Sequence, residues 1–251
     1  MSTAESYELV AVAYLTQPWS RPVADLEALR AAIATAPAGV LFHHAVQFPL
    51  RHPAADELPP DDFTAWVQNI VQDPATAERL SYAVQSHNGS ADALRAALLD
   101  VLGALPDASR AGRRAPEGGE LVLLSSTPVE FAERTLAPDA ASVVASLVED
   151  DAGVWFHHLT AEPWFTGRRA TLLVWLETFA QDVLAAWLDE LARTGQPIDV
   201  ARRQLAQRWR RRSLPRRLAA ASGEADVERR EAGRRAVARL LRRATAPEPD
   251  A

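Results

Sequence analysis

Apolar positions along the chain switch between two periods, and the same succession of periods occurs twice. Glu8-Leu9-Val10-Ala11-Val12-Ala13-Tyr14-Leu15 is a short apolar run with branched residues, which predicts a buried strand. After Asp25 the apolar residues fall at Leu26, Leu29, Ala32 and Ile33, the spacing of one helix face. Pro59-Pro60-Asp61-Asp62 then marks a helix start, since proline cannot continue a preceding helix and aspartate caps free amides. The predicted helix runs through Phe63, Trp66, Val67, Ile70 and Val71, and Asp73-Pro74 restarts it. A turn at Ser86-His87-Asn88-Gly89 leads into a last helix over Ser90–Ala104.

The second succession opens with Glu120-Leu121-Val122-Leu123-Leu124 as a strand, followed by Val143, Val144 and Leu147 at helical spacing. Leu172 to Arg193 reads as one amphipathic helix with Leu172, Trp175, Phe179, Val183, Trp187 and Leu191 on one face. A turn at Thr194-Gly195-Gln196-Pro197 precedes a helix over Asp199–Arg212. Between the halves, Pro106 to Gly119 is rich in Pro, Gly, Asp and Arg without periodicity and reads as a linker.

A shared motif ties the halves together. Gly39-Val40-Leu41-Phe42-His43-His44 returns 114 positions later as Gly153-Val154-Trp155-Phe156-His157-His158. Trp66-Val67-Gln68-Asn69-Ile70-Val71-Gln72-Asp73 aligns with Trp175-Leu176-Glu177-Thr178-Phe179-Ala180-Gln181-Asp182 at a shift of 109. The expected fold is therefore mainly α with short β-strands (α+β), as two pseudo-symmetric repeats packed through their tryptophan-bearing helices, plus a basic C-terminal helix. The expected boundaries are 5–105 for the first repeat, 106–119 for the linker, 120–213 for the second repeat, 214–245 for an Arg-rich helical extension and 246–251 for a disordered tail.

Composition narrows the picture. The 251 residues include no cysteine, so disulfides and thiolate metal sites are excluded. An acidic start without a basic n-region, and apolar runs too short to span a bilayer, point to a cytoplasmic protein. All 27 basic residues are arginine, and they are segregated: Arg202 to Arg243 holds 15 arginines against 4 acids, whereas residues 1–201 carry a net charge of −15. An acidic body with a basic tail is the pattern of an interaction segment.

Each half also resembles an uncharacterised prokaryotic domain family. The resemblance rests on an aromatic-His segment, an Asp-Asp-Phe-Thr-x-Trp helix start and a Leu-Arg helix: Phe42-His43-His44, Asp61-Asp62-Phe63-Thr64-Ala65-Trp66 and Leu94-Arg95 in the first half. The second half keeps Phe156-His157-His158 and Trp175 but has Ala170-Thr171-Leu172 at the helix start. The resemblance implies a mainly helical fold and no established activity.

Several groups are candidates for chemistry. Neighbouring residues on a helix point about 100° apart, so only one histidine of each pair His43-His44 and His157-His158 faces a given site. A metal there would need help from His52, Asp61, Asp62 or Glu162; a structural role and acid-base work are the other readings. Asp61 and Asp62 are either a carboxylate pair with split pKa values or a helix cap, and in the first case the first half is the active one. Ser125-Ser126-Thr127 offers hydroxyls without a Gly-x-Ser-x-Gly elbow, and no glycine-rich phosphate loop is present. Trp66, Trp155, Trp164, Trp175, Trp187 and Trp209 read as core or as the lining of a ligand cleft.

The tail supplies the main functional expectation. Arg208, Arg210, Arg211, Arg212, Arg216 and Arg217 form one basic cluster, and Arg229, Arg230, Arg234, Arg235, Arg239, Arg242 and Arg243 a second. They are either solvated or suit the chain's own acidic body, a second copy of it, another acidic protein surface or a phosphate polymer, and the lack of an apolar face argues against a membrane. The chain is thus expected to be a non-enzymatic cytoplasmic adaptor or regulator without a cofactor. Nucleic-acid binding through the tail and a metal-dependent enzyme built on His43 and His44 are the alternatives.

Overall fold

A computed structural model describes residues 6–51, 61–87, 89–194 and 196–212. His52, the Pro59-Pro60 stop, and the tail from residue 213 onward, with Arg216, Arg217, Arg229, Arg230, Arg234, Arg235, Arg239, Arg242 and Arg243, lie outside the described residues. The chain divides into a compact unit over 1–205 and a second unit over 206–251, of which 206–212 are described and helical.

The architecture is mostly helical with one antiparallel ribbon. Strand β1 (Tyr7–Pro18) is followed by α1 (Leu26–Thr35), α2 (Ala38–Leu41), α3 (Phe48–Arg51), α4 (Asp62–Asn69), α5 (Pro74–His87), α6 (Ala91–Gly103) and α7 (Asp107–Gly112). Strand β2 (Leu124–Ala137) then leads into α8 (Ala140–Glu149), α9 (Ala152–Phe156), α10 (Glu162–Thr166), α11 (Thr171–Thr178) and α12 (Asp182–Arg193), and residues 198–205 are helical. Both histidine pairs fall in π-helical turns, Phe42–Val46 and His157–Ala161.

Local chemistry sets most helix starts. The carboxylates of Asp25, Asp61, Asp73 and Asp139 accept the amides of Ala28, Thr64, Thr76 and Ser142, and the Ser90 hydroxyl accepts that of Ala93. The apolar faces behind them are fully buried: Leu26, Leu29 and Ile33 on α1, Phe63 and Val67 on α4, Leu94, Leu98 and Leu102 on α6, and Val143 and Leu147 on α8.

The halves meet along the ribbon, and tryptophans of the second half reach the first as well, Trp164 donating to the Ala38 carbonyl at 3.4 Å and Trp175 lying against Tyr7. β1 and β2 pair along their whole length, with a register shift between Val10 and Val12. Tyr14 pairs with Pro128, the position 114 residues ahead of it, and its ring stands 5.3 Å from Phe42 and 5.9 Å from Phe156. Phe42 and Phe156, themselves 114 apart, are 5.7 Å from each other. Trp66 instead donates its indole N–H to the Gly119 carbonyl, and Trp175 lies against Tyr7 and Phe179.

Three sequence expectations need correction. The second strand lies at Leu124–Ala137, not at 120–124; Leu121 forms only an isolated bridge with Val23. The true strand opens on Leu124-Ser125-Ser126-Thr127-Pro128 and mixes charged and apolar residues beyond, with Val129, Phe131 and Leu136 exposed, a ribbon pattern rather than a buried apolar run. The helix expected over Leu172 to Arg193 is broken after Thr178, where Ala180 adopts a left-handed φ of 55° and leaves Val183 half exposed while Leu184, Leu188 and Leu191 face the core. The first half breaks alike at Gln72, φ 60°.

The segment 106–119 is likewise no free linker. Residues Asp107–Gly112 form α7, and Arg110 is buried, donating to the Leu102 and Leu105 carbonyls at the end of α6 and pairing with Glu27 and Asp107. It supplies donors to carbonyls that a helix end leaves unpaired.

Candidate functional site

The π-turns place the two histidines of each pair in different surroundings. A π-turn inserts an extra residue into the helix and is frequent at functional sites. In the first half the Gln47 amide reaches back to the Phe42 carbonyl at 2.7 Å, and Phe42 to Gln47 are all buried.

His44 is a bracket. Its Nε2 accepts the backbone N–H of Leu124 at 2.9 Å, which fixes the proton on Nδ1, and Nδ1 donates to Asp62 Oδ2 at 2.8 Å. Arg51 donates to the same oxygen at 2.6 Å and to the His43 carbonyl at 2.9 Å. Burial raises the affinity of Asp62 for a proton, but the bonds from His44 and Arg51 outweigh it and hold the carboxyl below the usual range.

His158 repeats the device with other partners. Its Nε2 accepts the backbone N–H of Val10 at 2.9 Å, and Nδ1 donates to the Tyr7 hydroxyl at 3.2 Å, which donates to Thr171 Oγ1 at 2.8 Å. Val10 and Leu124, like His44 and His158, are 114 positions apart. Each imidazole therefore holds the strand of the opposite half at the matching position. Burial pushes the His158 imidazole down to about 3, and His157 beside it adds to the effect.

His43 faces the ribbon. Ser126 donates its hydroxyl proton to Gln47 Oε1 at 2.7 Å, so His43 Nδ1, 2.8 Å from Ser126 Oγ, is the donor to that oxygen. This polarity is the reverse of what activates a serine nucleophile, where imidazole takes the hydroxyl proton. Burial pushes His43 down to about 4, with His44 and Arg51 beside it adding to the effect.

Asp61 and Asp62 divide their roles. Asp61 caps α4 by accepting the Thr64 N–H and hydroxyl, and its burial pushes the carboxyl up to about 6 against those bonds. His43, His44 and Asp62 bring ligand atoms within 4.8 Å of one another, the arrangement that the metal reading requires. Yet both nitrogens of His44 are engaged, and the Arg51 guanidinium already sits on Asp62 Oδ2. As folded, the cluster is an ion-pair network and not an open coordination shell.

The open cleft lies at the second pair. A cavity of about 420 Å³ is bounded by Tyr7, Glu130, Arg134, His157, His158, Ala161, Glu162 and Phe165 among others. His157 Nδ1 and Glu162 Oε2 are buried and have no hydrogen-bond partner among the described residues. Burial lowers the His157 pKa from its ordinary value, opposed by the nearby Glu130 carboxylate. Burial also raises the Tyr7 hydroxyl to about 12.

Of the residues singled out from sequence, His43, His44 and Asp62 converge, while Asp61 stands apart as a cap and Glu162 belongs to the second cleft. Trp66, Trp155 and Trp164 are buried in the core, and no tryptophan borders the cleft. Arg51, Gln47, Tyr7, Thr171 and Arg134 were not anticipated. Gln47 and Ser126 carry the one readable signal: 114 positions along or back, the residues are Ala161 and Val12, so the polar pair beside His43 has apolar counterparts.

A family described as being of unknown function, DUF5752, matches residues 4–209. The chain belongs to this family. The DUF5752 match runs through both occurrences of the Gly-Val-x-Phe-His-His motif in one piece and stops at the start of the arginine-rich tail. Among solved structures, OrfY from Thermoproteus tenax is similar with a TM-score of 0.62 and 22% sequence identity, covering 80% of this chain and 92% of that one. That likeness extends to the fold. No curated protein matches the chain. No described helix is long and apolar enough to cross a membrane.

Proposed function

We propose that this DUF5752 protein is an internally duplicated, non-enzymatic adaptor or regulator of the cytoplasm, whose basic tail makes electrostatic contacts with an acidic protein surface or a second copy of the acidic body. The observation that carries the reading is the reciprocal bracket: the Nε2 atoms of His44 and His158, the best candidates for ligation or proton transfer, each accept a backbone N–H of the opposite strand. Ser126 and its histidine are polarised against nucleophilic attack, which agrees with a binding role. The duplication is supported by the 114-residue spacing of the bracketing pairs, by the Tyr14–Pro128 pairing and by the facing rings of Phe42 and Phe156. The adaptor role is supported by 15 arginines gathered in a tail beyond a body of opposite charge.

Fluorescence anisotropy of a labelled Glu-rich peptide, duplex DNA and an RNA hairpin tests this, using the full chain and a variant with glutamine at Arg216, Arg217, Arg234, Arg235, Arg242 and Arg243. The expected result is tail-dependent binding of the peptide, or tail-dependent self-association in sedimentation. Tighter, salt-steep and tail-dependent binding of DNA or RNA would replace the adaptor reading with the nucleic-acid one.

A further inference from the structure

The cleft of the second half has a polarity that selects its occupant. Glu162 and His157 both line the cleft, and one carboxylate oxygen of Glu162 and one ring nitrogen of His157 are buried without a hydrogen-bond partner among the described residues. A buried polar atom left unpaired is unfavourable, and a donor that reaches it removes that penalty. The remaining charge of the cleft is already committed: Arg134 lies 2.6 Å from Glu8 and 3.4 Å from Glu130. Three carboxylates thus face one guanidinium, an arrangement that repels phosphates and carboxylates and attracts cations.

The spacing decides between a metal and an organic cation. Among the described residues, only His43, His44 and Asp62 bring three ligating atoms within 4.8 Å, and none of these lines this cleft. The cleft's donors are therefore spread over a volume of about 420 Å³, the scale of a molecule with several heavy atoms. Tyr7 and Phe165 add aromatic walls, which favour a cationic group over a neutral one. Burial shifts the His157 imidazole toward its neutral form, which favours hydrogen bonding over a competing positive charge. At the first histidine pair Gln47 and Ser126 hold His43; the counterpart of Gln47 is the small Ala161, which lines the cleft.

We propose that this cleft binds a small organic cation, an alkylammonium or guanidinium compound, with Glu162 as its counter-ion and His157 as a second hydrogen-bonding partner.

Isothermal titration calorimetry of the full chain with putrescine and agmatine as probes, and butane-1,4-diol as a neutral control, tests the proposal. At least one amine is expected to bind saturably at one site per chain, about tenfold or more tighter than the diol, and E162Q is expected to weaken it about tenfold or more. E177Q, whose carboxylate pairs with Arg169 outside the cleft, is expected to leave amine binding unchanged. The wild-type His157 ring resonances, assigned with H157Q, are expected to shift on amine addition, a readout that does not depend on E162Q folding. Equal binding of diol and amine, wild-type affinity in a folded E162Q, an equal loss in E177Q, or unmoved His157 resonances would each overturn the proposal.

Discussion

His44 and His158 do structural work through a single lone pair. Each accepts a backbone N–H from the opposite strand at 2.9 Å, so replacement by leucine strands the part-buried amide of Leu124 or the buried amide of Val10. H158L is expected to lower unfolding free energy by ~2–3 kcal/mol in urea titration. H44L is expected to lose more, because Asp62 also loses a partner. Equal stability of H158L and wild type would remove the bracket from the account. The glycines of the repeated motif offer a second comparison. A Cβ on Gly39 would lie 2.7 Å from both Ser125 Oγ and the Ser126 carbonyl oxygen, and that carbonyl is backbone held in the ribbon. On Gly153 the 2.7 Å contact is with the Asp151 side chain, which can turn aside at the loss of its bond to the Gly153 amide. G39A should therefore destabilise by ~1–3 kcal/mol and G153A by less, measured by the same titration.

Helices α4, α5, α1, α6 and α8 begin where their capping residues place them, and these caps are readable because a cap acts within three residues of itself. The break between α11 and α12 was not readable, since Leu172, Trp175, Phe179 and Val183 satisfy a continuous helical face by spacing alone. Packing required a different rotation, which brings Leu184, Leu188 and Leu191 inward and places Ala180 at φ 55°. A left-handed φ is costly for alanine and not for glycine, so A180G is expected to raise the melting midpoint slightly, by ~0.5–1 kcal/mol in stability. A fall in stability would indicate that Ala180 contributes contacts that outweigh its backbone strain. Strand β2 escaped for a related reason. Its outer half exposes Phe131 and Leu136 and carries Glu130 and Arg134, so it lacks the apolar run by which buried strands are recognised.

Buried neutral histidines tie the stability of the molecule to pH. His43 and His158 bind protons in the unfolded chain near pH 6.5 but resist them in the folded one down to about 4 and about 3. Their contribution is complete above pH 6.5 and is lost as pH falls through the folded values. Asp61 acts in the opposite sense: its folded-state value of about 6 lies above the ordinary 3.8, so its contribution is lost as pH rises through that window. With His157 also shifted down by burial, the histidines outnumber the aspartate, and the net expectation is falling stability from pH 6.5 toward pH 4. Urea midpoints measured across that range check this; a flat profile would contradict it, and H158L should reduce the slope. The aromatic cluster of Tyr14, Phe42 and Phe156 explains why residues 1–205 behave as one unit, since rings from both halves share one contact.

The starts of α1, α4, α5 and α6, the apolar faces of α1, α4 and α8, and the repeated Gly-Val-x-Phe-His-His motif followed from residue order, because capping and amphipathic spacing act over a few residues. The mostly helical class followed from the same signals. The exchange of brackets between halves did not, because His44 meets Leu124 across 80 residues and His158 meets Val10 across 148. Nor did the place of the open cleft: the paired aspartates pointed to the first half, where folding engages Asp62 with His44 and Arg51 and Asp61 with Thr64. The second half keeps its histidine pair but has Ala161 in place of Gln47, and there a cavity is lined by His157 and Glu162, each with a polar atom that has no hydrogen-bond partner among the described residues. Which polar groups find partners depends on packing between distant segments, and that packing is where spacing along the chain ceases to inform.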